Sequence, residues 1–359
     1  MTQFSSLWVR ARLGFASGAL LLLLAPMDLL AAERVEPVTA VASKGFQIST
    51  AQGSGVVPFL ISLDWSKPQP KISRAVIIFH GKGRGVEGYY RTLMEAADDA
   101  GSAGRETAFI APQFLDEEDI SAHHLAAEIL RWHGTAWEAG EAAVAPFPVS
   151  TFEIVDALLS RLGDRGVFPN LKNVVLAGHS GGGQLVQRYA VVGREAGTLS
   201  KAGVHVRFVI ANPSSYLYFS DERPTANGGF APFKNEACRD FNRWKYGTIG
   251  APEYVKINAD NSWAVMEAAY AQRDVIYLLG TADTDPREKD LDISCSAEAQ
   301  GAMRFARGQA YYSYLRGRNH GTWNQHLWFA PGVAHSSHKM FTSGCGVRAV
   351  FDTGSCPDH

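Results

Sequence analysis

The chain has 359 residues, 46% hydrophobic and 19% charged, which is the composition of a folded globular protein with a large core and excludes a disordered or coiled-coil chain. A total of 34 Lys and Arg stands against 36 Asp and Glu, a net charge of −2, and no basic run creates a local field, so nucleic acid is not an expected partner. The 4 cysteines are too few for a disulfide scaffold, and none has the C-x-x-C spacing of zinc ligands.

At the start of the chain, Arg10 and Arg12 precede an apolar run over 13–25, and Leu30-Ala31-Ala32 follows before Glu33. A positive start, a short apolar centre and small residues at the end predict a cleaved signal peptide over 1–32 and a mature domain over 33–359. The run is too short to span a hydrocarbon core of ~30 Å, so no stable membrane anchor is expected. The expected location is periplasmic or extracellular. In such an oxidising compartment the cysteines can pair. Cys345 and Cys356, close in sequence, are expected to staple the C-terminal end, which leaves Cys238 with Cys295. Three pairings are combinatorially open.

Six short apolar runs follow: 75–79 (AVIIF), 107–111 (TAFIA), 173–177 (NVVLA), 206–211 (VRFVIA), 274–279 (DVIYLL) and 326–330 (HLWFA). Each lacks clear alternation, as expected for strands covered on both faces. Stretches with helical period lie between them, over 89–103, 150–162, 182–196 and 297–316. Alternation of this kind predicts an α/β domain built on a parallel sheet with right-handed crossovers. Two segments break the rhythm. Residues 112–148 carry His123, His124, Trp132 and Trp137 without a clear strand. Residues 213–272 exceed the usual connection length and read as an inserted cap or lid.

The strongest motif is Gly178-His179-Ser180-Gly181-Gly182, a G-x-S-x-G pattern with an apolar strand before it and a helical stretch after it. A sharp turn there pushes one serine clear of the sheet, and small neighbours let the backbone make it. The helix that follows aims its N-terminal amides at the site. Ser180 is therefore the candidate nucleophile. In this motif and its setting the chain resembles the α/β-hydrolase superfamily, over residues 75–351. It also looks like secreted members that carry FHGKGRG, APQFL, GHSGGGQ, ANPSSY, LLGTADTD and PGVAHSSHKMF. The resemblance implies an eight-stranded, mostly parallel sheet with helices on both faces, and a Ser–acid–His triad in that chain order.

By the same resemblance the His80-Gly81-Lys82-Gly83 turn supplies one oxyanion donor, the backbone amide of Lys82 or of Gly83, and Gly181 supplies the second. A phosphate-binding reading of Gly81-x-Gly83-x-Gly85 fits neither G-x-G-x-x-G nor the P-loop spacing. His80 itself reads as a structural histidine under the loop. A serine hydroxyl needs a base, and the base needs an orienting carboxylate. Asp283 follows the strand over 274–279 and a turn glycine, and Asp285 is its competitor. Asp290 and Asp292 read as solvated loop residues. Among the late histidines, His335 lies just past the C-terminal end of the strand over 326–330. His320 and His326 fall at the wrong end of that strand, and His338 falls in a following helix.

These readings predict an exported serine hydrolase that cleaves a carboxylic ester or related acyl bond through Ser180, His335 and Asp283, with no cofactor and no metal. Its partner is a small-molecule ester or acyl substrate. Acyl transfer, lactone or peptide cleavage with the same triad is the alternative, as is a binding protein that has kept the fold. Tyr216 and Tyr218, with Phe219, Phe230 and Phe233, are expected to wall an apolar or aromatic pocket. Oligomeric state does not follow from the sequence.

Overall fold

A computed structural model of the protein describes residues 1–2, 36–257, 260–319 and 321–356. The signal-peptide reading of 1–32 and the candidate His320 lie outside these described residues.

Ten strands occur among them: β1 (Lys44–Thr50), β2 (Gly53–Ile61), β3 (Arg74–Phe79), β4 (Thr107–Pro112), β5 (Asn173–His179), β6 (His205–Ala211), β7 (Glu222–Pro224), β8 (Phe230–Pro232), β9 (Asp274–Gly280) and β10 (Gln325–Ala330). Eight of them form one sheet in the order β1-β2-β4-β3-β5-β6-β9-β10, and β7 and β8 form a separate small hairpin. From β4 to β10 all neighbours run parallel, while β2 is antiparallel to both β1 and β4. The six strands expected from apolar runs are all present. The pair β1 and β2 is additional.

The apolar runs lack alternation because both faces of the central strands are buried. Along β3, Ala75, Ile77 and Phe79 pack into one core layer, and Val76 and Ile78 pack into the other. In β5, Val174 and Leu176 face the first layer and Val175 and Ala177 the second. The first layer is closed by the helices Thr151–Leu162, Gly181–Val192, Trp263–Gln272 and Arg304–Arg318. The second is closed by Val86–Asp99, Ser337–Thr342 and Gly344–Phe351. Ser150 caps Thr151–Leu162 in a reciprocal box with Glu153, which fixes where that helix begins. No helix among the described residues is long and apolar enough to cross a membrane.

Residues 213–272 link β6 to β9. They hold the β7–β8 hairpin and end in the helix Trp263–Gln272. The cysteines pair as Cys238–Cys295 and Cys345–Cys356. The first bridge ties the insertion to the segment after β9, and the second ties the end of the described chain to the helix Gly344–Phe351.

The β5–helix turn is packed so closely that side chains are excluded. A Cβ on Gly178 would collide with the carbonyl of Gly182, and one on Gly182 with the carbonyl of Phe79. Both obstacles are backbone, so they cannot rotate away. Gly182→Ala should therefore lower stability by ~1–3 kcal/mol or more, measured by thermal or urea unfolding, and an unchanged midpoint would contradict this packing. Thiol counting on native, non-reduced protein should find no free cysteine. Peptide mapping should recover 238 with 295 and 345 with 356, and any other pairing would refute the assignment.

Candidate active site

Strand β5 ends at His179, and the next residue, Ser180, takes φ 58° and ψ −119° before the helix Gly181–Val192 begins. A positive φ is costly for a residue with a Cβ and persists only where the surroundings impose it. Here the Ser180 amide donates to the carbonyl of Ala211 at the end of β6, 3.0 Å away. That bond and the glycine contacts hold the serine on the crest of the turn. Ser180 lies where two cavities meet, of about 420 and 350 Å³, and it lines both.

Past the C-terminal ends of β9 and β10, two loops are stitched together. Thr281 N–H donates to the Ala330 carbonyl (3.1 Å), Ala282 N–H to the Val333 carbonyl (3.0 Å) and Gly332 N–H to Thr281 Oγ1 (2.8 Å). The stitching brings His335 Nδ1 to 2.8 Å from Asp283 Oδ2. A proton on Nδ1 satisfies that carboxylate and leaves Nε2 with its lone pair. Asp283 is buried and His335 partly buried, and His335 lines the larger cavity with Ser180.

The competing residues lie elsewhere. Asp285 is exposed and accepts from the Arg287 amide. His326 pairs in register with Ile276 of β9, whereas Ala330 pairs with Gly280, so His326 stands four residues short of the active edge. His338 also lines the larger cavity, but its Nε2 is 2.7 Å from Glu95 Oε2 on the surface.

Two groups around this pair carried no sequence signal. The buried guanidinium of Arg304 lies 3.7 Å from Asp283 Oδ1 and 2.7 Å from Glu288 Oε2, which sets a fixed positive charge behind the acid. His179 packs its ring against His335, with centroids 4.4 Å apart. Burial first, and then the nearby His335 and Arg304, hold His179 well below the usual histidine range. A neutral imidazole thus backs the His335 ring and adds no charge to it.

The backbone nitrogen of Lys82 lies 3.2 Å from the point where a Cβ on Gly181 would stand. The Lys82 amide and Gly181 are therefore neighbours. Gly83 lines the larger cavity with Lys82. The loop is fixed from behind. Phe114 N–H donates to His80 Nε2 and His80 Nδ1 donates to the Gly81 carbonyl, each at 2.9 Å. Burial pushes His80 down to about 4, so it stays neutral and structural. Arg84, itself at a positive φ, is clamped to buried Asp119 through contacts of 2.7 and 3.1 Å.

The smaller cavity is lined mostly by polar and charged side chains, with Tyr246, Leu291 and Ile293 among them. Glu138 is buried beside Gly181, where it leaves no room for a Cβ. Gln184 Nε2 donates to Glu138 Oε2 at 2.8 Å. Burial raises the Glu138 carboxyl above its ordinary range, against the pull of Lys245 and Arg188. Lys245 Nζ stands between Glu138 Oε2 (3.6 Å) and Asp292 Oδ2 (3.7 Å). Asp292 is not a solvated loop residue. Burial works to raise its pKa, but Lys245 and hydrogen bonds from Tyr246 and Ser294 outweigh that and hold it below the usual carboxylate range. Asp290 borders both cavities.

Tyr216 and Tyr218 line neither cavity. Both are fully buried, with Tyr216 stacked on Tyr311 at 4.6 Å and Tyr218 against Tyr314 at 4.5 Å, on the helix Arg304–Arg318. Their aromatic surface fills the core, and the substrate-wall reading of these two residues is corrected accordingly. Phe219 and Phe230 pack at the edge of the same core, and Phe233 packs against Phe241.

No known family pattern matches the chain, and no curated protein sequence matches it. Its fold does have solved counterparts. Poly(aspartic acid) hydrolase-1 from Sphingomonas sp. KT-1 superimposes with a TM-score of 0.54 at 22% identity, over 84% of this chain and 96% of that one. The poly(3-hydroxybutyrate) depolymerase from Bordetella parapertussis superimposes with a TM-score of 0.57 at 20% identity, over 85% of this chain and 86% of that one. With its strand order, its serine turn at the end of β5 and these counterparts, the chain has the α/β-hydrolase fold.

Proposed function

We propose that the protein is an exported serine hydrolase that cleaves a carboxylic ester or related acyl bond. The observation that carries this reading is the Asp283–His335 pair, bonded at 2.8 Å, with His335 facing the same cavity as Ser180 on its positive-φ turn. In this reading Ser180 Oγ attacks the acyl carbon while His335 Nε2 takes the hydroxyl proton. Asp283 keeps Nδ1 protonated and stabilises the imidazolium that forms. The carbonyl oxygen becomes an oxyanion held by the amides of Lys82 and Gly181, each worth ~3 kcal/mol in comparable sites. Collapse breaks the acyl–oxygen bond, and His335 returns its proton to the leaving alkoxide. Water then repeats the sequence on the acyl-serine, releasing the acid and restoring the hydroxyl.

The buried Arg304 takes a positioning role here. Its guanidinium lies 3.7 Å from Asp283 Oδ1 and helps fix the carboxylate that His335 bonds. Residues 213–272 serve as a cap in this proposal, since Lys245 and Tyr246 within them wall the smaller cavity. The pairing of all 4 cysteines supports export, because such bridges persist in oxidising compartments.

The test is turnover of short p-nitrophenyl esters by purified protein. Ser180→Ala and His335→Ala should each lower kcat/KM by ~10³-fold or more, because triad members act as a unit. Asp283→Asn should fall by ~10⁴-fold through the wrong imidazole tautomer, while Asp285→Asn should stay within about threefold. Ester turnover by Ser180→Ala at the wild-type rate would refute the nucleophile. A larger loss at Asp285 than at Asp283 would reassign the acid.

A further inference from the structure

The two cavities that meet at Ser180 differ in one respect that bears on substrate choice. His335 lines the larger and not the smaller. In the reaction proposed above, His335 returns its proton to the leaving oxygen, so the leaving group must occupy the cavity that His335 faces. The acyl chain is then directed to the other one, beside Gly181.

That acyl cavity rests on buried polar groups in a fixed order, with Leu291 and Ile293 also on its wall. Arg188, buried beneath it, donates from Nη2 to Ser215 Oγ (3.0 Å), and Ser215 Oγ donates to Gln184 Oε1 (2.7 Å). Gln184 Nε2 in turn donates to Glu138. Arg188 also binds the carbonyl of Lys245 through Nε (3.1 Å) and Nη2 (2.9 Å), which pins the backbone that carries the lysine. The far side is fixed as well, because Tyr246 OH donates to Asp292 Oδ2 at 2.7 Å and receives the Ser294 hydroxyl at 3.0 Å. Lys245 Nζ is thus held between two carboxylates at 3.6 and 3.7 Å, in ion-pair contact with both. Its side chain remains partly exposed in the cavity.

An ammonium held by ion pairs on the wall of a cavity can donate to an oxygen acceptor placed there. The flanking acids determine which kind. Glu138, Asp290 and Asp292 already set three carboxyl groups against Lys245 and Lys82 around this space. A substrate carboxylate would add a further anion, and a substrate ammonium would face Lys245 directly. A plain alkyl chain would cover the polar groups without pairing them, which costs binding. We propose that Lys245 is a specificity residue that selects short, uncharged acyl chains bearing a hydroxyl or carbonyl oxygen, by donating a hydrogen bond to that oxygen within the Glu138–Lys245–Asp292 cavity. The inference rests on the hydrolase reading given above.

The experiment compares kcat/KM for p-nitrophenyl butyrate, its 3-hydroxy counterpart and the succinate monoester. Each rate is divided by the hydroxide-catalysed rate of the same ester, with Ser180→Ala as background. The ratio of hydroxylated to plain butyrate should exceed one in the wild type. It should fall roughly tenfold or more in Lys245→Met, the scale of one lost hydrogen bond to a charged donor. Lys245→Arg, which keeps a charged donor, should retain most of the ratio. Because both esters are read in one preparation, the ratio does not depend on how much of a variant is folded. An unchanged ratio in Lys245→Met, or a preference for the succinate monoester, would overturn the proposal and leave the hydrolase reading standing. Turnover of no ester above the Ser180→Ala background would bring down the hydrolase reading and this proposal together.

Discussion

The site depends on one steric constraint, the backbone-on-backbone contact between the turn after β5 and the end of β3. With no Cβ at Gly178 or Gly182, the helix Gly181–Val192 starts directly against the carbonyl of Phe79. That contact forces Ser180 into a positive φ and lifts it off the sheet. It also sets Gly181 next to the Lys82 amide, because the loop carrying Lys82 leaves the same strand, β3, directly after Phe79. The candidate nucleophile and candidate oxyanion donors are thus placed by one packing event, and neither needs a long flexible connection. The local strain is held by the parallel pairing of β3, β5 and β6, which surrounds the turn with buried ladder bonds.

The acid and the histidine reach the same place by a second route. Strands β9 and β10 run parallel and end together, so the loops that follow emerge side by side. Their backbone bonds, from Thr281 to Ala330 and from Ala282 to Val333, fix the spacing before any side chain is considered. Asp283 then needs only its buried position, with Arg304 behind it, to orient His335. Neutral His179 under the imidazole and neutral His80 under the oxyanion loop have the same electrostatic consequence. Both pack tightly near the site without placing a charge beside it.

Much of this was legible in the sequence, and the exceptions have physical causes. Central strands are apolar on both faces, so 75–79, 173–177 and 274–279 stand out without any partner being known. The antiparallel pair β1 and β2 at one edge does not. In β1 only Ile48 is buried, and KGFQIST looks like a loop until β2 is seen to pair with it. Asp283 and His335 could be read from their positions just past strand ends, since a parallel sheet collects such positions along one edge. Glu138, Lys245 and Arg304 could not. Each reaches the site from a segment without strand or motif signal, or from the middle of a helical stretch, and only the tertiary fold reveals what they face. Tyr216 and Tyr218 show the converse case. An aromatic in an insertion is as suited to filling a core as to walling a pocket, and here the stack with Tyr311 and Tyr314 claims both. The outcome is a mostly polar cleft where composition pointed to an apolar one.

The central claim is that Ser180 is an activated nucleophile and not merely a serine at a tight turn. Activation means that the hydroxyl loses its proton to His335 as it attacks, so covalent capture should depend on both residues. Intact-mass measurement after exposure to a fluorophosphonate probe, followed by peptide mapping, reads this directly. The account predicts one adduct per chain, located on Ser180, that forms readily in the wild type and is lost in folded His335→Ala protein. Wild-type protein that stays unmodified under these conditions, or an adduct that maps to another residue, would contradict it.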